Sequence, residues 1–381
     1  MTHESSILVQ KFGGSSVAEP AKIKAVAAFI KESLKNHEKI CVVVSAMGNT
    51  TNDLINLAKQ VALAPPKREL DMLISCGERS SMALLAMALM DIGVKAQSLT
   101  GSQSGIITDD THSGAEIIEI RPNRVFDAFV HHDVVIIAGF QGISLSKEIT
   151  TLKRGGSDTT AVAMAAALKA KACEIYSDVP GVMDIDPNVY PDAKLLATLR
   201  FDHMESLALY GARVLALDAI RLAQKWGITL RIAKSGESEI GTTITPHTNE
   251  SPKRAVLALT HVRGIVRLVI PHEKIELIEN KQGYFLCGFM HENNFIGYIS
   301  NDLSQELHDK EVLVEGRLAL ITLHITKNEF AFLILAKIAS LFKEHGIRAK
   351  DLLVGRHEIF VVINDDSVNN VLSLLYPALG A

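Results

Sequence analysis

The sequence predicts an α/β fold, a three-layer αβα sandwich on a mainly parallel sheet, followed by a C-terminal α+β region. Three observations predict it. Short β-branched runs alternate with longer helical patterns through the first two-thirds of the chain. Those runs are apolar throughout, as in strands buried on both faces under covering helices. Around Pro246 to Arg254 the composition shifts, and the pattern beyond becomes paired strands with single helices.

The strands expected in the first region are Ile7–Lys11, Ile40–Ser45, Ala96–Thr100, Val134–Ala138, Ala172–Ser177 and Ile228–Ala233. Between them lie amphipathic or buried helical patterns at Pro20–Asn36, Thr51–Ala62, Glu69–Ile92, Thr159–Lys169 and His203–Trp226. Pro246–Pro252 reads as a linker and sets the expected boundary, with domains at 1–250 and 251–381. In the second region Leu318–Thr326 alternates like a strand. Phe330–His345 is helical and stops at Gly346, a natural C-cap. Leu352–Val354 and Ile359–Ile363 read as strands and Ser367–Leu375 as a helix, giving a βαββα order. Residues 255–315 would form its partner module, irregular because no helix is easily placed there.

The chain has 381 residues, enough for two or three domains, with 48% hydrophobic and 22% charged residues. A net charge of −4 gives no field that would draw it to nucleic acid or an anionic membrane. Cys41, Cys76, Cys173 and Cys287 are scattered without a CxxC pair and read as thiols of a reducing compartment. Met1–Ser6 is short and polar, with no signal peptide, and the apolar patch Met82–Met90 is too short to span a bilayer. A cytoplasmic location is the expectation. The fourteen histidines form no cluster with ligand spacing, so no protein metal ligand is assigned.

Ligands of such sheets bind beyond the carboxyl ends of the strands, and the polar motifs sit there. No glycine is followed by lysine, so a Walker A loop is absent, and no G-x-G-x-x-G follows a strand. Any phosphate handling would have to come from other glycine turns. The run Val9-Gln10-Lys11-Phe12-Gly13-Gly14-Ser15-Ser16-Val17 reads as strand, tight turn and helix start. Its glycines let backbone approach an anion, and Lys11 adds a full charge. Arg154-Gly155-Gly156-Ser157-Asp158 is a second glycine turn, feeding a small-residue helix capped by Ser157, Asp158 or Thr159. An ordinary strand–turn–helix connection and a capped surface turn are the plainer readings. Glu78 lies in a long apolar helix pattern, where a buried carboxylate needs a partner such as Arg79 or another basic residue.

Six motifs in order resemble the aspartokinases, a branch of the amino-acid kinase family with C-terminal ACT, ferredoxin-like modules. They are Lys11–Val17, Val42–Asp53, Ser75–Arg79, Gly139–Gly142 with Thr150–Ala161, Tyr176–Pro187 and Tyr210–Leu215. Ser15 stands where the family has Thr, Lys153 where it has Gly, Asn188 where it commonly has Arg, and Arg213 where it has Lys. Ala216 and Leu217 replace its His-Pro.

The resemblance implies an amino-acid kinase fold and transfer of the γ-phosphoryl of ATP, with Mg²⁺, to L-aspartate. Lys11 and Asp158 would be catalytic. Ser45, Thr51, Glu78, Phe140, Arg154 and Ser157 would bind the substrate, with Arg154 gripping a carboxylate and Phe140 walling the pocket. Gly13, Gly14, Ser15, Ser177, Asp178, Met183 and Arg213 would contact the nucleotide. Asp184 and Asp186 read as solvated turn residues. By analogy the chain would be a homodimer paired through its C-terminal region, with lysine or threonine as effector. Two alternatives remain: a kinase for another amino acid, such as glutamate or N-acetylglutamate, and a non-catalytic amino-acid-sensing subunit.

Overall fold

The computed structural model describes residues 7–247, 254–273, 285–300 and 313–380. Two compact units emerge. One comprises the described residues of Met1–Val182, Leu195–Glu205 and Val214–Thr248; the other those of Met183–Lys194, Ser206–Arg213 and Asn249–Ala381.

The first unit is built on an eight-stranded sheet. Its order is Thr198–Arg200, Thr242–Thr245, Thr229–Lys234, Ala172–Ser177, Ile7–Phe12, Lys39–Val44, Val134–Ala138 and Ala96–Leu99. All neighbours run parallel except Thr242–Thr245 against Thr229–Lys234. Val134–Ala138 is buried at every residue, and Lys39–Val44 at all but its first, as their unbroken apolar character requires. On one face Ile23, Val26, Ala27 and Ile30 of the helix Pro20–Ser33 meet Met82, Leu85, Ala86 and Leu89 of the helix Cys76–Asp91 in one core. The helix Gly156–Ala167 packs against Ile7–Phe12, Lys39–Val44 and Ala172–Ser177. Its residues Ala161 to Ala165 are all fully buried, which explains the run of small side chains. A separate four-stranded sheet, in the order Ile117–Ile120, Ile106–Thr108, Gln141–Ser144 and Ile149–Thr151, was not expected. Its strands have only three or four residues, too few to show a period.

Several expected elements break where side chains capture the backbone. The pattern Glu69–Ile92 becomes two helices, Lys67–Ile74 and Cys76–Asp91, divided at Ser75. The Ser75 carbonyl accepts a hydrogen bond from Gln141 Nε2 at 2.9 Å. Taken together, Lys67–Asp91 is long and apolar enough by composition to cross a membrane, but half of its most apolar window is buried inside the fold. His203–Trp226 likewise divides into Phe201–Leu209 and Leu217–Trp226. Gly211 lies between them at φ 119°, where a Cβ would stand 2.3 Å from the His261 carbonyl oxygen. The glycines after Phe12 lead first into a short 3₁₀ turn, Gly14–Val17, before the helix Pro20–Ser33 begins.

The second unit carries a six-stranded sheet in the order Phe285–His291, Asn294–Ser300, Val256–Pro271, Leu313–Ile325, Glu358–Asn364 and Asp351–Val354. Leu313–Ile325, the helix Ala331–Glu344, the strands Asp351–Val354 and Glu358–Asn364, and the helix Val368–Leu379 form the βαββα order of an ACT-like module. Both helices bury apolar faces on the sheet, with Ile334, Ile338, Val371, Leu372 and Leu375 in one core with Ala319, Ile321, Leu323, Val361 and Ile363. The preceding strands Val256–Pro271, Phe285–His291 and Asn294–Ser300 extend the same sheet. Most of the linker Pro246–Pro252, the first six residues, and parts of 255–315 lie outside the described residues. Asp184 is fully buried in this unit, not solvated. It accepts hydrogen bonds from Tyr376 Oη at 3.0 Å and Lys194 N at 2.7 Å, and pairs with Arg254 at 3.1 Å. Asp186 instead closes a turn, accepting from the backbone and side-chain amides of the exposed Asn188.

Candidate active site

The carboxyl ends of Ile7–Phe12, Lys39–Val44 and Val134–Ala138 open on a cavity of about 520 Å³. It brings together Lys11, Gly14, Ser45, Thr51, Glu78, Phe140, Arg154, Ser157 and Asp158, residues spread over nearly 150 positions of sequence.

Lys11 comes from the central strand Ile7–Phe12 and Asp158 from the first turn of the helix Gly156–Ala167. Lys11 Nζ lies 2.6 Å from Asp158 Oδ1, with each side chain only 10% exposed, so the ammonium is held at a fixed point of the cavity. The cap position of this helix is Gly155, at φ 81° and with no side-chain cap bond, not Ser157, Asp158 or Thr159. The first turn therefore presents its dipole to the cavity, and Asp158 is committed to Lys11.

The two loops beside Lys11 require glycine. A Cβ on Gly14 would sit 2.8 Å from the Ala46 carbonyl oxygen, and Gly48 N donates to the Gly14 carbonyl at 3.0 Å. Gly13 N donates to Tyr176 O at 3.1 Å, tying the turn to the neighbouring strand end. Asn49, with no side-chain cap bond, precedes the helix Thr50–Val61, so Thr51 is its second residue rather than its cap and lines the cavity.

Glu78 is 3% exposed. Its Oε1 accepts from Ala46 N at 3.2 Å, while its buried Oε2 has no hydrogen-bond partner among the described residues. Arg79 does not serve it, since Arg79 Nε donates to Gln141 Oε1 at 3.1 Å. Burial pushes the Glu78 carboxyl up to about 7, against the opposing pull of backbone amides. Arg154 is exposed at the turn between Lys153 and Gly155. Phe140 has φ 66°, a left-handed conformation rare for a bulky residue, and its N–H donates to Thr160 Oγ1 at 3.1 Å. That strain aims an aromatic ring into the cavity wall.

A second, smaller cavity of about 250 Å³ is lined by Ser15, Ser177 and Asp178 together with Lys22, Lys234 and Ser235, none of which the sequence motifs singled out. Lys234 ends the strand Thr229–Lys234, one of the carboxyl ends at which ligands of such sheets are expected, and that position was the available signal. Met183, half-buried, and Arg213, exposed, belong to the second unit. Among the described residues no group of three His, Cys, Asp or Glu side chains could hold a metal ion.

A model of the amino acid kinase family matches residues 6–234. Aspartokinase of Mycolicibacterium smegmatis is 46% identical over 268 residues, 70% of this chain and 64% of that protein. Aspartokinase of Corynebacterium glutamicum is 45% identical over 254 residues, 66% of this chain and 60% of that protein. The chain thus spans less than two-thirds of the length of these relatives. Among solved structures, aspartate kinase from Synechocystis is 32% identical, with 98% of this chain and 69% of that chain covered and a TM-score of 0.58. E. coli aspartokinase III in complex with aspartate and ADP (R-state) shares the fold at a TM-score of 0.85, with 22% identity, 98% of this chain and 100% of that chain covered.

Proposed function

The chain belongs to the amino acid kinase family, and from that premise we propose that it is an aspartate kinase. It transfers the γ-phosphoryl of ATP to the β-carboxylate of L-aspartate, giving 4-phospho-L-aspartate, the entry step to aspartate-derived amino acids such as lysine, threonine and methionine. One observation carries the choice of substrate: the buried Glu78 Oε2, without a partner among the described residues, shares a cavity with Lys11 and Arg154. An α-amino acid with a second carboxylate supplies one ammonium and two carboxylates to such a set. The relatives named aspartokinase favour the four-carbon substrate.

In this reading the substrate carboxylate is itself the nucleophile. It attacks the γ-phosphorus as the bond to the β,γ-bridging oxygen breaks, and ADP leaves. The protein positions the reactants and neutralises charge. Lys11, held by Asp158, compensates charge on the transferred group. The Gly13–Gly14 turn and the first turn of Gly156–Ala167 offer backbone dipoles. Glu78 takes the ammonium, Arg154 a carboxylate, Phe140 shields the pocket, and Ser45, Thr51 and Ser157 complete its polar lining. Ser15, Ser177 and Asp178, which line the second cavity, receive the nucleotide. Mg²⁺ bound with ATP would supply neutralisation of phosphate charge, and Asp158 and Glu78, the acids lining this cavity, are the residues that would help hold it. The first unit carries catalysis and the second regulation. Lysine or threonine is the effector, the chain pairs as a homodimer through the C-terminal region, and it acts in the cytoplasm without nucleic acid or membrane.

The test is ATP-dependent formation of aspartyl hydroxamate in the presence of hydroxylamine, with glutamate and N-acetylglutamate in parallel. Product with aspartate alone is expected. Product with another acceptor redirects the reading to that substrate, and no product with any of the three favours a sensing subunit. Lys11→Ala is expected to abolish turnover while leaving the circular dichroism spectrum unchanged; near-normal activity refutes the role of Lys11.

A further inference from the structure

Asp71 is a carboxylate with no exposed surface, on the helix Lys67–Ile74, and no motif of the sequence points to it. It accepts hydrogen bonds from five donors on two distant segments. From one come Thr151 Oγ1 at 2.6 Å and Thr151 N at 3.1 Å. From the other come Ser113 N at 3.0 Å, Ser113 Oγ at 3.0 Å and His112 Nδ1 at 3.0 Å. Asp71 does not line the cavity, but Ser113 and Thr151 do, and so does Arg154 three residues on.

The chain after Thr151 is pinned at both ends. Gly114 N and Ala115 N donate to Thr151 O at 3.0 and 2.9 Å, and Leu152 N donates to Phe140 O at 2.9 Å. At the far end Gly156 N returns to Lys153 O at 2.9 Å. Arg154 stands on the turn between these anchors. Ser113 is held at φ 60°, a left-handed conformation that its two bonds to Asp71 stabilise. Removing the carboxylate takes a shared anchor from both segments at once and leaves them on their remaining backbone bonds.

We propose that Asp71 is the positioning residue of the acceptor-binding wall, setting the location of Arg154 through Thr151 and thereby the affinity for the carboxylate substrate. The inference rests on the aspartate kinase reading for the identity of that substrate, and on the geometry alone for the ordering of the segment. Asp71→Asn keeps the volume but turns amide hydrogens toward donors, and Thr151→Val removes only the shortest bond.

Two measurements test it, with the unaltered chain in parallel. Steady-state kinetics of Asp71→Asn should show the KM for aspartate raised about 10- to 100-fold, the loss of a charge-assisted hydrogen bond, while the KM for ATP stays within about twofold and kcat changes far less than KM. Thr151→Val should follow in the same direction by a smaller factor. Amide hydrogen exchange of the peptide covering residues 150–156 should be faster in Asp71→Asn, with the strand Lys39–Val44 unchanged. An unaltered aspartate KM in an active Asp71→Asn, or equal losses in both KM values and kcat with exchange raised everywhere, overturns the proposal in favour of a purely structural carboxylate. If the unaltered chain makes no aspartyl hydroxamate, the substrate reading fails, and the exchange measurement alone decides whether Asp71 orders the wall.

Discussion

At the scale of single residues the site is defined by which charges are matched and which are left open. Lys11 and Asp158 satisfy each other, so the ammonium is fixed before any ligand arrives. Glu78 is the opposite case, with a carboxyl pushed up to about 7 by burial. A raised folded-state value stabilises the fold fully below the ordinary value near 4.5, and the contribution is lost as pH rises through about 7. The unliganded protein should therefore lose part of its urea resistance across that window, and Glu78→Gln should flatten the dependence. A substrate ammonium reverses the balance: aspartate should bind more tightly as pH rises through about 7, and Glu78→Gln should raise its KM about 10-fold or more and remove that trend. An aspartate KM independent of pH from 5 to 8 in the unaltered chain refutes the pairing. Of these residues, Lys11, Arg154 and Asp158 were legible because each stands in a glycine-punctuated motif near a strand end, and Glu78 because a lone carboxylate interrupts an apolar helix pattern. Asp71 was not, since its partners lie 41, 42 and 80 positions away and nothing local marks them.

At the scale of elements, the glycine turns matter through the backbone they let near. Gly14→Ala places a Cβ 2.8 Å from the Ala46 carbonyl oxygen and 3.3 Å from that of Gly48. The two loops must separate, at a cost of about 1–3 kcal/mol, and thermal unfolding should shift down accordingly, with turnover impaired beyond what the stability loss explains. A Gly14→Ala protein with unchanged melting temperature and activity refutes the close approach. The unbroken apolar strands made the parallel sheet readable, since burial on both faces leaves no other pattern. The break at Ser75 was not readable, because the group that binds its carbonyl is Gln141, on a strand 66 residues further along. For the same reason the helix Gly156–Ala167 looked side-chain capped: three polar residues follow Gly155, but Asp158 is drawn to Lys11 instead.

At the scale of the molecule, the order of the α/β unit before the ACT-like unit is visible in the sequence, but their interleaving is not. Residues 183–194 and 206–213 join the C-terminal unit, although the residues around them belong to the kinase unit. Turn signals such as Pro187 and Gly211 mark where the chain bends, not which core it serves. Within the C-terminal unit Tyr376→Phe removes the hydroxyl that donates to buried Asp184 and should lower that unit's stability by about 1.5–3 kcal/mol, seen as an earlier transition in calorimetry. A transition at the unaltered temperature means that Arg254 and Lys194 satisfy the carboxylate alone. The same contact has a consequence for biogenesis. Asp184 emerges from the ribosome 192 residues before Tyr376. At about 5–20 residues per second, that is an interval of roughly 10–40 s in which a buried-type acid and its flanking segment have no finished partner. The first unit can fold while the chain is still being made, but the segment around Asp184 must wait for Tyr376, and a nascent chain halted between the two positions is the species a chaperone would meet.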